Sequence, residues 1–221
     1  MYNVVIAPHA DDETLGCGAT LKKLKNNGEK IIWILVTKPS DSLNMSSEQL
    51  INRASAILAV QRAYEFDEFF ELGFPAAELD KLSLSEIIGS AKKCLPNDGP
   101  MKIFAPFPGD AHSDHEVCFK VAASMSKWFR NKNFCGLYCY ETLSETEFGI
   151  DPTKLCFKPN LFSDITKFID FKLETMDLYE SEVGKFPFPR SREAIASLAR
   201  TRGVEAGCDF AEAFMLLRGY L

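Results

Sequence analysis

The sequence predicts an α/β fold: an open, mostly parallel sheet with helices on both faces. Three observations predict it. Apolar runs of strand length alternate with stretches in which apolar residues recur every three or four positions. Several of the runs are continuously apolar, as strands covered on both faces are. The resulting order, βαβαβαβαβ, calls for right-handed crossovers that lay helices over a parallel sheet.

Residues 2–7 (YNVVIA) form the first expected strand, and the apolar spacing over 14–26 follows as a helix. KIIWILVT at 30–37 is the second strand, 47–64 the second helix, and FDEFFEL at 66–72 the third strand. A helix over 82–95, the strand KIFAPF at 102–107, a helix over 114–131 and the strand GLYCYE at 136–141 complete the alternation. Beyond about residue 145 the pattern loosens: 157–165 reads as a strand, 167–182 and 191–201 as helices. Between those helices, GKFPFPR at 184–190 reads as a rigid loop, since its prolines cannot continue a helix. No linker, repeat or low-complexity segment divides the chain. The expectation is a single Rossmann-like domain over 1–221, with a doubly wound core over 1–145 and a C-terminal strand and helix elaboration over 146–221.

Composition limits the function classes. A chain of 221 residues that is 46% hydrophobic can bury one sizeable core. A net charge of -6 and the absence of a Lys/Arg-rich run argue against nucleic acid as a partner. No run approaches the roughly 18 apolar residues of a membrane span, and the first apolar run is too short for a signal peptide, so a cytoplasmic protein without a membrane partner is expected. The seven cysteines lack paired C-x-x-C spacing, which points to reduced thiols.

Chemistry concentrates in two loops. PHADDE (8–13) follows the first strand, at the carboxyl edge where open α/β sheets bind ligands. A single acid there would serve as a helix cap. Three adjacent acids exceed that need, because like charges repel unless a cation or proton sits among them. The chain has three histidines, and the two outside this loop, His112 and His115, fall in PGDAHSDHEV after the fourth strand, at the same edge. Two imidazoles and a carboxylate are a common zinc set, and catalytic sites leave a further position for water. Other acids can then act as a base or orient an imidazole. The candidates are His9, Asp11 and Asp12 in one loop and His112, Asp114 and His115 in the other; spacing does not decide which are ligands.

With both loops in view, the sequence resembles the LmbE-like (PIG-L) family of zinc-dependent N-acetyl-sugar deacetylases, whose A-H-P-D-D-E and H-x-D-H loops stand here as PHADDE and HSDH. TLGCGATL, ELGFP (71–75) and PNLFSDITKFIDFKLETMDLYESE extend the likeness over most of the chain. The resemblance implies an LmbE-like deacetylase fold, with His9, Asp12 and His115 holding zinc and Asp11 acting as general base toward water. It implies that His112 stabilises the oxyanion or protonates the leaving amine, that Asp114 orients His112, and that Glu13 stands behind the ligands. Ala10 and Ser113 replace prolines, which changes loop stiffness and removes no ligand. Arg53, in NRASAIL, resembles a family arginine near the substrate, although the glutamate expected a few residues later is missing.

The expected reaction is hydrolysis of an amide, removing acetyl from an N-acetylated amino sugar or its conjugate. The expected cofactor is zinc, with iron or another divalent transition metal as alternative. The expected partner is a small-molecule N-acetylated sugar or glycoconjugate, and a homo-oligomer is compatible with the sequence. Arg190, with Arg192, Arg200 and Arg202, could bind an anionic group of the substrate; for each, a solvated helix face is the plainer account. Two other classes compete. In a nucleotide-binding module, the glycines of GCG would admit a phosphate, but the neighbouring acids repel it. A magnesium-binding signalling module would use Asp11 and Asp12 and leave the histidines idle.

Overall fold

Alternation along the first strand sets the layering. In β1 (Tyr2–Ala7), Val4 and Ile6 face one helical layer while Val5 and Ala7 face the other. The computed structural model describes residues 1–151, 153 and 156–220. After β1 come α1 (Asp12–Asn26), β2 (Lys30–Lys38), α2 (Ser47–Tyr64), β3 (Glu68–Pro75), α3 (Leu84–Lys92), β4 (Met101–Pro106), α4 (Ser113–Met125) and β5 (Phe134–Tyr140). The chain ends with β6 (Leu161–Asp164), α5 (Ile169–Asp177), α6 (Arg192–Ala206) and β7 (Ala211–Gly219). Single 3-10 turns sit at Asp41–Leu43 and Leu79–Lys81.

The strands form one seven-stranded sheet in the order β3-β2-β1-β4-β5-β7-β6. β1 to β5 pair in parallel, and β7 lies antiparallel between β5 and β6. One face is covered by α1, α2, α5 and α6, where Leu21, Val60, Met176 and Ile195 pack on Val5, Trp33 and Leu35. The other is covered by α3 and α4, where Ile87, Ala91 and Val121 pack on Val4, Ile34 and Ile103. Strand order reverses between β1 and β4, so the loops leaving these two strands diverge and open a crevice at their carboxyl ends. These are the loops that carry PHADDE and HSDH.

The expected elements up to residue 141 are present, with shifted ends. α4 stops at Met125 and not near residue 131, because the next large apolar residues, Trp128 and Phe129, lie off the buried stripe and are 60% exposed. α2 starts with a capping box: the Ser46 hydroxyl accepts from Gln49 N while Gln49 Oε1 accepts from Ser46 N. The strand expected over 157–165 is confined to β6, and β7 is an element the sequence reading lacks. Among the described residues, no helix is long and apolar enough to cross a membrane.

Candidate active site

The turn from β1 into α1 is strained at its centre. Asp11 has φ 137° and ψ -28°, a backbone conformation costly for a residue with a Cβ. Asp11 occupies the N-cap position, its carbonyl accepting from Thr14 N and Leu15 N, yet its side chain makes no capping bond. The carboxylate is thereby left to the crevice. Glu13 fixes the turn from behind: its Oε2 accepts from Asp11 N at 3.2 Å, and its Oε1 accepts from Thr14 Oγ1 and from Tyr179 Oη at 2.8 Å. Burial pushes the Glu13 carboxyl up to about 7 despite those donors.

The glycines of the same segment serve packing. A Cβ on Gly16 would lie 2.1 Å from the Tyr140 ring, and one on Gly18 would lie 2.2 Å from Tyr64 Oη. They admit aromatic rings to α1, not a phosphate, so the feature that suggested a nucleotide-binding module has another cause.

The second loop leaves β4 and enters α4 with His112 as N-cap. Its Nδ1 accepts from Asp114 N at 3.1 Å, which places the ring proton of the neutral imidazole on Nε2. Burial, followed by the positive charge of His9, holds His112 below its ordinary pKa, so the neutral form prevails. The three imidazoles cluster, with ring centroids 4.4 Å apart for His9 and His112 and 5.7 Å for each of the other pairs.

Each of the other two imidazoles is held at one nitrogen by a carboxylate. His9 Nε2 lies 3.0 Å from Asp114 Oδ2, and Asp114 also accepts from Ala77 N and Leu79 N. His115 Nδ1 lies 2.7 Å from Asp110 Oδ2, while Asp110 Oδ1 accepts from Thr146 Oγ1. A carboxylate accepting in this way puts a ring proton on the nitrogen it faces, so that in the neutral imidazole the lone pair lies on the other. Those other nitrogens converge on Asp12. His9 Nδ1 is 3.3 Å from Asp12 Oδ2 and His115 Nε2 is 3.4 Å from Asp12 Oδ1.

His9, Asp12 and His115 therefore present ligand atoms within 4.8 Å of one another, and their chemistry fits a divalent transition metal. His115 Nε2 is buried and makes no hydrogen bond among the described residues, and such an orphaned nitrogen fits a metal-ligand role. A second grouping, His9 with His112 and Asp114, is equally close-set, but there the Asp114 carboxylate is already engaged by His9 and two backbone amides.

Burial works against ionisation of Asp12, but the facing His115 and His9 outweigh it and hold the carboxyl far below its usual range. Burial likewise opposes protonation of His9, yet the Asp114 and Asp12 carboxylates raise its pKa to about 9. Asp11 is pushed upward by burial and by Asp12, against the pull of Arg190. Arg190 donates from Nη1 to Asp11 Oδ2 at 3.0 Å, and its Nη2 lies 3.2 Å from Glu182 Oε2.

The site residues named from sequence fall in or beside one cavity of about 270 Å³, which His9, Asp11, Asp12, His112, Arg53 and Arg190 line. Two placements differ from expectation. Asp114 holds His112 through its backbone N–H, while its carboxylate, 4.0 Å from His112 Nδ1, lies nearer to His9 at 3.0 Å, where the Ala77 and Leu79 amides fix it. Arg190 faces Asp11 and not open solvent. Arg192, Arg200 and Arg202 are engaged elsewhere, by Asp177, the Phe210 ring and Glu141 respectively. Sequence reasoning missed Asp110, Tyr179 and Glu182. Asp110 had a readable signal, an acid within PGDAHSDH; the other two reach the site only through the packing of the segment after α5.

The family described as PIG-L, GlcNAc-PI de-N-acetylase, matches residues 4–126. Diacetylchitobiose deacetylase of Thermococcus kodakarensis is 25% identical over 233 residues, covering 97% of this chain and 82% of that protein. Among solved structures, the conserved protein TT1542 from Thermus thermophilus superposes with a TM-score of 0.75 at 25% identity, covering 99% of this chain and 96% of that one. N,N'-diacetylchitobiose deacetylase from Pyrococcus horikoshii shares the fold, with a TM-score of 0.75 at 21% identity over 98% of this chain and 83% of that one.

Proposed function

The chain belongs to the PIG-L, GlcNAc-PI de-N-acetylase family, and from that premise we propose that it hydrolyses the acetamide of an N-acetylated amino sugar or glycoconjugate, releasing acetate and the free amine. The observation that carries the reading is the arrangement of imidazoles. Two rings are each fixed at one nitrogen by a carboxylate, with the opposite nitrogens converging on Asp12 and one of them, His115 Nε2, buried without a hydrogen-bond partner among the described residues.

In this reading His9, Asp12 and His115 hold zinc, or iron or another divalent transition metal in its place. When bound, the ion supplies Lewis acidity toward the acetyl carbonyl and brings the pKa of water down to about 7. Asp11, freed from capping and held by Arg190, accepts the proton that the attacking water gives up. As the water oxygen bonds to the acetyl carbon, the carbonyl π electrons move to oxygen. His112 donates its Nε2–H to that oxyanion. Being neutral, with Nδ1 already accepting from Asp114 N, His112 would become an anion if it gave the proton away. Asp11 is therefore the group that returns a proton to the departing nitrogen as the C–N bond breaks. Glu13 and Tyr179 keep the Asp11 turn in its strained shape.

Asp11→Asn tests the assignment. The variant should retain its metal and lose acetate release from N,N'-diacetylchitobiose by about 100- to 10,000-fold, the usual range for a general base. A variant hydrolysing at the wild-type rate would contradict the role.

A further inference from the structure

One carboxylate in the cavity has no task in the chemistry above. Asp12 faces His9 and His115, and Asp11 and Glu182 share Arg190. Glu145 also lines the cavity, half-buried, and its carboxylate makes no hydrogen bond or ion pair among the described residues. Burial raises its pKa, and the charges of His115 and Asp12 are felt there, so it lies near the reacting centre. It is not one of the residues whose ligand atoms cluster for a metal.

The turn that carries Glu145 is built with care. Ser144 adopts φ 76°, with its N–H donating to Glu147 Oε1 at 2.7 Å. Glu145 N and Thr146 N both donate to Thr142 O, and Thr146 Oγ1 accepts from Thr142 N. Two bonds tie this turn to the HSDH loop: Ala111 N donates to Glu145 O at 3.1 Å, and Thr146 Oγ1 donates to Asp110, the residue that holds His115. The backbone of Glu145 is thus tied to the same network that holds a proposed metal ligand, while its carboxylate is left without a partner among the described residues. A half-buried acceptor carried into the cavity on a fixed turn, and not used by any protein donor among the described residues, is available to a ligand donor.

We propose that Glu145 is a specificity-determining residue that accepts a hydrogen bond from a hydroxyl of the sugar ring carrying the acetamide. The proposal rests on the deacetylase reading and adds a substrate requirement to it: a free hydroxyl on the ring, facing the Thr142–Thr146 turn. An ionised carboxylate accepts and does not donate, so it favours neutral O–H donors and repels a phosphate or carboxylate installed at the same ring position.

The test uses metal-loaded protein, N-acetylglucosamine, N,N'-diacetylchitobiose, and deoxy analogues of whichever of the two is hydrolysed. Glu145→Ala should raise KM about 10- to 100-fold on the parent sugar, the loss expected for one hydrogen bond to a charged acceptor, with kcat and metal content little changed. On one deoxy analogue, wild type should already show that loss and Glu145→Ala should add nothing to it. Glu145→Gln, whose amide oxygen still accepts, should lose less and guards against a misfolded alanine variant. A penalty equal on every analogue, a loss confined to kcat, or a loss of metal overturns the proposal while leaving the deacetylase reading standing. Wild-type protein that releases acetate from neither sugar overturns both.

Discussion

At the scale of single residues, the account turns on which nitrogen of each imidazole is free. Asp110 and Asp114 decide this for His115 and His9. Asp110→Ala should therefore weaken metal binding about 10- to 100-fold, measured by competition with a chromogenic chelator, although the proposed ligand set does not include Asp110. Protons compete for the same lone pairs. With its pKa raised to about 9, metal-free His9 is cationic at pH 7, and the proton must leave before the metal can bind. Affinity should fall as pH drops below about 9, by roughly tenfold per unit for each displaced proton. Calorimetric titrations at pH 7 in buffers of differing ionisation heat should show net proton release, and identical heats in all buffers would contradict it. The residue types at the site were legible in the sequence because all three histidines sit in two acid-rich loops. Their tautomers were not, because Asp114 is fixed by amides of residues 77 and 79, which only the fold brings to it.

At the scale of elements, α1 is the piece most specific to this arrangement. It breaks at Cys17, whose φ of -147° is not helical. The break frees backbone donors, and Glu212 on β7 takes up Ala19 N and Thr20 N at 3.0 and 2.7 Å. Lys172 of α5 neutralises that buried carboxylate at 2.6 Å and donates to Leu15 O. Lys172→Met would leave Glu212 charged, buried and unpaired, and should cost about 3–5 kcal/mol in denaturant unfolding. The break also brings Gly16 against Tyr140, whose hydroxyl donates to Ile6 O and so cannot swing aside. Gly16→Ala should destabilise by about 1–3 kcal/mol through overpacking, read as a lower unfolding midpoint with unchanged slope. The glycines were visible in the sequence; their reason was not, since Tyr140 and Tyr64 reach α1 only through tertiary packing.

At the scale of the whole molecule, the strand order does the assembling. β1 and β4 are neighbours at the point where the order reverses, so loops roughly a hundred residues apart in sequence share one crevice. The parallel half was legible because its strands are continuously apolar and its helices periodic. β7 was not, because AEAFMLLRG is rich in helix formers and becomes a strand only by pairing between β5 and β6. That missed strand carries Glu212 and so supports the helix that presents PHADDE. The central claim, metal-dependent release of acetate from a site shared by the two loops, is tested most directly by one measurement: acetate release from N,N'-diacetylchitobiose by protein stripped with a chelator and then titrated with zinc or iron(II). The account predicts that activity vanishes with the metal and returns in proportion to its occupancy, reaching its maximum at one ion per chain. Full turnover by metal-free protein would contradict it.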